Sequence, residues 1–153
     1  MKEKIGCFTG HREIFEDAAS VQARLRCQIE YLIVQGVTQF ITGGARGFDT
    51  MAAQTVLSLK EKYPDTQLIL IIPCEGQTRG WSVQEKEVYD QIRVRADRVT
   101  VLADHYYRGC MHVRNRHMVD PSSVCVCYLR KESGGTVYTV QYEKNKGIPI
   151  IEI

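Results

Sequence analysis

Apolar positions along this chain follow two periods that alternate from end to end. Short β-rich runs recur at 4–9, 39–42, 68–72, 98–102, 124–129 and 148–153. Between them lie segments with helical spacing. The clearest helix puts Val21, Leu25, Ile29, Leu32 and Ile33 on one face, and Gly36 follows as a C′ residue free to take positive φ. A second, from about Asp49, carries Ala52, Val56 and Leu59 inward and stops before Pro64. Residues 81–95 read as a polar helix and 111–119 as a short one, while Gly134 and Gly135 open a last helix that ends at Gly147. The run 68–72 is apolar throughout, as a central strand covered on both faces requires. Strands alternating with helices predict an α/β, Rossmann-like three-layer fold, with a mostly parallel sheet and helices on both faces. No repeat, linker or low-complexity tract interrupts the pattern, so residues 1–153 read as a single domain.

Composition narrows the function without naming it. Hydrophobic residues make up 44% and charged residues 25%, as in ordinary globular chains. Twenty basic residues face 18 acidic ones for a net charge of +2, too little for a generic nucleic-acid or membrane-surface binder. Arg93, Arg95 and Arg98 are interrupted by Asp97 and read as a solvated helix end. Gly10, His11 and Arg12 break any signal-peptide core, and the apolar run 68–73 is too short to cross a bilayer. The expectation is a cytoplasmic protein with no membrane association.

Six cysteines stand at 7, 27, 74, 110, 125 and 127, with no C-x-x-C among them. Four lie in or at the end of strand-like runs, where Cys packs as a small hydrophobe. Cys110, His112 and His117 match no standard zinc spacing, so no metal is expected and no cofactor is required.

Candidate chemistry concentrates where strands hand over to helices. T-G-H-R at 9–12, T-G-G-A-R-G-F-D at 42–49 and E-S-G-G-T at 132–136 are such junctions. Glycines let amides approach an anion, the next helix N-terminus aims N–H groups at it, and arginine adds a forked charged donor. Open α/β sheets gather ligands at this edge. The spacing is neither a dinucleotide G-x-G-x-x-G nor a P-loop. Asp49 is either an N-cap or an acceptor for ribose hydroxyls. Trp81 reads as a packing lid or a stacking platform, and Tyr106, Tyr107 and Met111 as an apolar patch consistent with a homodimer.

F-T-G-H-R, I-T-G-G-A-R-G-F-D-T-M-A-A, R-N-R-H-M-V-D at 114–120 and the late S-G-G-T together resemble the YpsA-like family of the SLOG superfamily, over essentially the whole chain. That superfamily includes DprA and the LOG phosphoribohydrolases. The resemblance implies a pocket for a nucleotide or nucleotide-derived ligand. The positions that match are Gly10, His11, Arg12, Gly43, Gly44, Arg46, Gly47, Asp49, Arg114, Asn115, Gly134, Gly135 and Thr136.

LOG enzymes carry P-G-G-x-G-T-x-x-E, and alignment on Gly135 and Thr136 puts Thr139 at the catalytic glutamate and Ser133 near the missing proline. Threonine supplies no carboxylate, which argues against that hydrolysis. Glu75 and Glu132 lie just beyond strand ends, and His11 is a candidate general acid or base. The favoured reading is a ligand-sensing domain that reports a nucleotide signal to a protein partner or through its oligomeric state. The alternatives are a nucleotide-processing hydrolase and a DprA-like DNA-binding or protein-interaction module. Nucleic acid is not expected as a partner.

Overall fold

The computed structural model describes residues 4–130 and 135–153. Six strands and five helices alternate among them. They are β1 Lys4–Gly10, α1 Ala18–Val34, β2 Val37–Thr42, α2 Phe48–Leu59, β3 Gln67–Ile72, α3 Val83–Arg95, β4 Arg98–Val101, α4 Cys110–Val119, β5 Val124–Tyr128, α5 Gly135–Lys146 and β6 Ile150–Glu152. The strands form one sheet in the order β4-β3-β2-β1-β5-β6, and every pairing is parallel. This is the Rossmann-like α/β architecture expected from the alternating pattern.

Strand alternation divides the core into two layers. Phe8, Phe40, Leu68, Leu70, Ile72, Val124 and Val126 face α1, α2 and α3 with Leu25, Ile29, Val56 and Ile92. Cys7, Ile41, Ile69 and Cys125 face the other way, against Met118 and Val119 of α4 and Tyr142 of α5. Because successive strand residues point to opposite faces, a one-residue slip would exchange the two layers, so burial on both sides fixes the register.

Boundaries depart from expectation by a residue or two for local reasons. Helix α3 starts at Val83 rather than 81, because Ser82 accepts the Glu85 amide while the Glu85 carboxylate accepts from Ser82 N–H. Strand β6 is shorter than 148–153: the Ile148 amide closes the end of α5 on the Glu143 carbonyl, and proline at 149 has no N–H to give the ladder.

The chain moves outward from β1 to β4, then returns to lay β5 beside β1. Strand order therefore reverses between β1 and β5, and crevices at such reversals are the usual ligand sites of open sheets. Among the described residues no helix is long and apolar enough to cross a membrane.

Candidate functional site

At the carboxyl edge of the sheet the junction loops lock into one another through their glycines. A side chain at Gly10 would begin 2.4 Å from the Phe48 ring. One at Gly47 would meet the Arg12 carbonyl at 2.2 Å, and one at Gly43 the Arg114 guanidinium at 2.3 Å. The room that a Cβ would take is filled by neighbouring loops. Gly44 and Gly47 also carry positive φ (71° and 77°), which other residues adopt only with strain.

The loop after β1 is tied across the strand reversal. His11 accepts the Arg130 amide through Nε2 at 2.7 Å, and its carbonyl accepts Phe48 N–H at 3.1 Å. Nearby, Phe48 stacks on Tyr128 with ring centres 5.7 Å apart. Arg130 lies over that tyrosine ring and pairs with Glu16 at 2.6 Å. His11 thus joins the loops after β1 and β5.

Behind the second junction sits a buried charged group pair. Asp49 is 6% exposed and Arg114 5%. Arg114 donates to the Gly43 carbonyl at 2.7 Å and to Asn115 Oδ1 at 2.8 Å. Asn115 in turn donates to Thr139 Oγ1 at 2.9 Å, which continues the chain of bonds from α4 into α5. Burial pushes the Asp49 carboxyl up to about 6, against the opposing pull of the Arg114 charge and of the Ala45 and Gly43 amides. Burial also lowers Arg114, with Asp49 as the largest opposing influence.

Asp49 is not the N-cap of α2. Gly47 holds that position without a side-chain bond, and the Asp49 carboxylate reaches back to the Ala45 amide at 3.3 Å. Arg114 and His117 share a helix but not an environment, since His117 is exposed while Arg114 turns inward to Gly43. Glu75 is an exposed loop charge paired with Arg93 at 3.5 Å. Thr136 and Thr139 are buried on α5. Gly135 begins α5; Gly134, Glu132 and Ser133 lie outside the described residues. Cys110, His112 and His117 do not converge on a common point among the described residues.

Among the described residues, two cavities open at this edge and share one wall. The first, about 350 Å³, is lined by Arg12, Arg46, Arg79, Trp81, Tyr106 and Met111 among others. The second, about 410 Å³, lies towards α1 and α3 and includes Gln22, Gln54 and Gln84. Arg46 and Trp81 line both. The Arg46 guanidinium sits 5.3 Å from the Trp81 ring centre and 3.8 Å from Glu85, while Trp81 meets Tyr89 edge-on at 5.5 Å. Tyr106 and Met111, expected in a surface patch, border the crevice, with Tyr106 66% exposed at its mouth. Arg79 stands outside the glycine junctions that mark the other cavity residues in the sequence, and the R-G-W order next to Trp81 is its only local signal.

Comparison with known proteins bears on the family and the fold. The chain is 27% identical over 163 residues to a UPF0398 protein of Oceanobacillus iheyensis, covering 98% of this chain and 88% of the relative. It is 25% identical over 130 residues to a UPF0398 protein of Bacillus thuringiensis, covering 83% and 71%. Among solved structures it resembles DNA processing protein A from Streptococcus pneumoniae, with a TM-score of 0.70 and 17% identity over 97% of this chain and 50% of that one. It also resembles DNA processing protein A from Helicobacter pylori, described for its single-stranded DNA binding mode, with a TM-score of 0.67 and 16% identity over 98% of this chain and 65% of that one. At these identities the two structures establish the fold alone. The family model described as the YspA SLOG family matches residues 5–148, and the chain belongs to that YpsA family.

Proposed function

We propose that the crevice binds a nucleotide-type ligand and that the domain acts as a sensor for it. The observation that carries the reading is the grouping of Arg12, Arg46 and Arg79 with Trp81 and Tyr106 around one cavity of about 350 Å³. Guanidinium groups suit phosphate oxygens, and aromatic faces suit a base. The volume lies within the usual range for small-molecule sites. Among its described lining residues there is no carboxylate or imidazole to transfer a proton, which favours binding over hydrolysis. Two further observations support the same preference. The Nε2 of His11 is engaged with Arg130, and Thr139, at the position of the LOG glutamate, accepts from Asn115.

The test is a thermal-shift and tryptophan-fluorescence titration with AMP, ADP, cyclic nucleotides, ADP-ribose and NAD, with recovered ligand checked for turnover. Ligand at a hundredfold over Kd adds about 2.7 kcal/mol, a shift of several degrees at this chain length. Trp81 is the sole tryptophan and lines the cavity, so binding should change its emission. Arg46→Ala should weaken a phosphate-bearing ligand by about 1.5–3 kcal/mol, roughly 10- to 150-fold in Kd. Consumption of a ligand would replace the sensor reading with an enzymatic one. Silence from every nucleotide would end both.

A second reading is single-stranded nucleic acid across the mouth of the same crevice. Exposed Tyr106 and Tyr107 beside Arg108 favour it, as aromatic platforms interleaved with arginines stack and track such strands. The Helicobacter pylori neighbour is described for that binding mode. A short oligodeoxynucleotide in the same titration, at two salt concentrations, separates the readings: tight, strongly salt-dependent binding without a mononucleotide response would favour the strand.

A further inference from the structure

Away from the crevice, on the α4–α5 side of the sheet, lies a polar cluster that the binding function does not use. Cys7 of β1 and Cys125 of β5 are directly paired across neighbouring strands. Both thiols point towards α5, from which Glu143 reaches down between them. The two sulfurs and a carboxylate oxygen all lie within 4.8 Å of one another. Cys7 is 1% exposed, and Cys125 and Glu143 are 0% exposed.

Glu143 is the anomaly. Both of its carboxylate oxygens are buried without a hydrogen-bond partner, in a layer whose neighbours include Ile41, Ile69, Met118 and Val119. Burial raises its pKa to about 7, opposed only by the nearby Cys125 thiol, a weak donor whose contact falls short of hydrogen-bond geometry; no lysine, arginine or histidine among the described residues acts on it. A buried carboxyl with no partner costs several kcal/mol if charged and still loses its hydrogen bonds if neutral. A cation held by all three groups removes that cost.

We propose that Cys7, Cys125 and Glu143 form a buried binding site for a thiophilic divalent cation of the zinc class. Two thiolates and one carboxylate are a donor set that suits zinc and is poor for magnesium or calcium. Donors at about 2.0–2.3 Å from a tetrahedral zinc lie roughly 3.3–3.8 Å apart. The present spacing therefore needs an inward movement of well under 1 Å per donor. On binding, each thiol gives its proton to solvent as its metal–sulfur bond forms, Glu143 coordinates as carboxylate, and the fourth position takes a water. No sequence spacing announces the site, because Cys7 and Cys125 are brought together by the β1–β5 pairing and Glu143 by the packing of α5. It joins two strands at the reversal point to the helix that covers them, so the cation would be acquired during folding and act as a structural clamp.

The test begins with metal analysis of full-length protein expressed in zinc-supplemented medium without a metal-affinity tag. It continues with unfolding in chelator and refolding with Co²⁺ as a spectroscopic stand-in. The expected result is close to one zinc per chain surviving gel filtration, and a thiolate-to-cobalt charge-transfer band after refolding. Cys125→Ser should lose both. The near-isosteric Glu143→Gln keeps the two sulfurs, so it should retain the band with altered d–d absorption and bind at least tenfold more weakly. If Cys125→Ser does not fold, Glu143→Gln alone carries the comparison. Folded wild-type protein with neither zinc nor a cobalt band would overturn the proposal. So would a Glu143→Gln variant whose metal content and spectrum match wild type.

Discussion

One methyl group at Gly43 would start 2.3 Å from the Arg114 guanidinium, itself fixed by the Gly43 carbonyl and Asn115. Gly43→Ala must therefore displace a buried charge, and should destabilise the protein by about 1–3 kcal/mol in guanidinium unfolding. The penalty should shrink in an Arg114→Ala background, where the clash is gone, giving a coupling of about 0.5–3 kcal/mol. Equal costs in the two backgrounds would mean that Arg114 is not what excludes the side chain. Asp49, beside them, makes a separate prediction. Its folded pKa of about 6 stands above the ordinary 3.8, so the native state holds the proton more tightly. Its favourable contribution is fully present below pH about 4 and is lost as pH rises through 6, by about 3 kcal/mol at about 1.36 kcal/mol per unit. Asp49→Asn removes this titration. Its stability loss between pH 4 and pH 7.5, relative to wild type, should be smaller by about that amount. Parallel pH profiles would sink the argument.

Among the elements, α1 shows how well periodicity reports packing. Spacing puts Val21, Leu25, Ile29, Leu32 and Ile33 on one face; the first four are buried and Ile33 is half-buried against them, and Gly36 takes the positive φ of 101° expected of it. The 68–72 run likewise lies in β3, an interior strand paired on both sides and one place in from the edge. Helix α3 is the weakest such case, burying only Tyr89 and Ile92 among its described residues, so its start depends on the Ser82–Glu85 box more than on its face. Ser82→Ala should cost about 1 kcal/mol and lower Tm by a few degrees, with a change in emission from the adjoining Trp81. An unaltered Tm would show that the helix is held by its packing alone. The site was less readable than the elements. Glycine and arginine in the junctions pointed to the crevice, but periodicity cannot show that Arg114 reaches a carbonyl 71 positions away, or that Glu143 ends between two strands. Those facts belong to long side chains crossing between elements, and pattern along the chain carries no information about them.

For the molecule as a whole, the reversal between β1 and β5 is the seam that holds its two halves together. The His11–Arg130 bond and the ion pair of Arg130 with Glu16 cross it on the crevice side. His11→Ala should raise hydrogen exchange at the Phe48 and Arg130 amides while leaving β3 and β4 protected, because exchange follows local opening rather than global stability. Faster exchange spread evenly over the sheet would instead make His11 a determinant of global stability. Likeness to DNA processing protein A extends across nearly the whole chain at the level of fold, and a shared fold does not by itself carry a shared ligand.

The filled spaces at Gly10, Gly43 and Gly47 bear on how such a chain can change through descent. Gly10 and Gly43 exist opposite a particular side chain, Phe48 and Arg114, whereas Gly47 lies against the backbone of Arg12. In relatives, a larger residue at 10 or 43 should therefore arrive together with a smaller one at 48 or 114. No side-chain exchange can make room at 47. That position should be the last of the three to vary, and the first two should drift only in pairs.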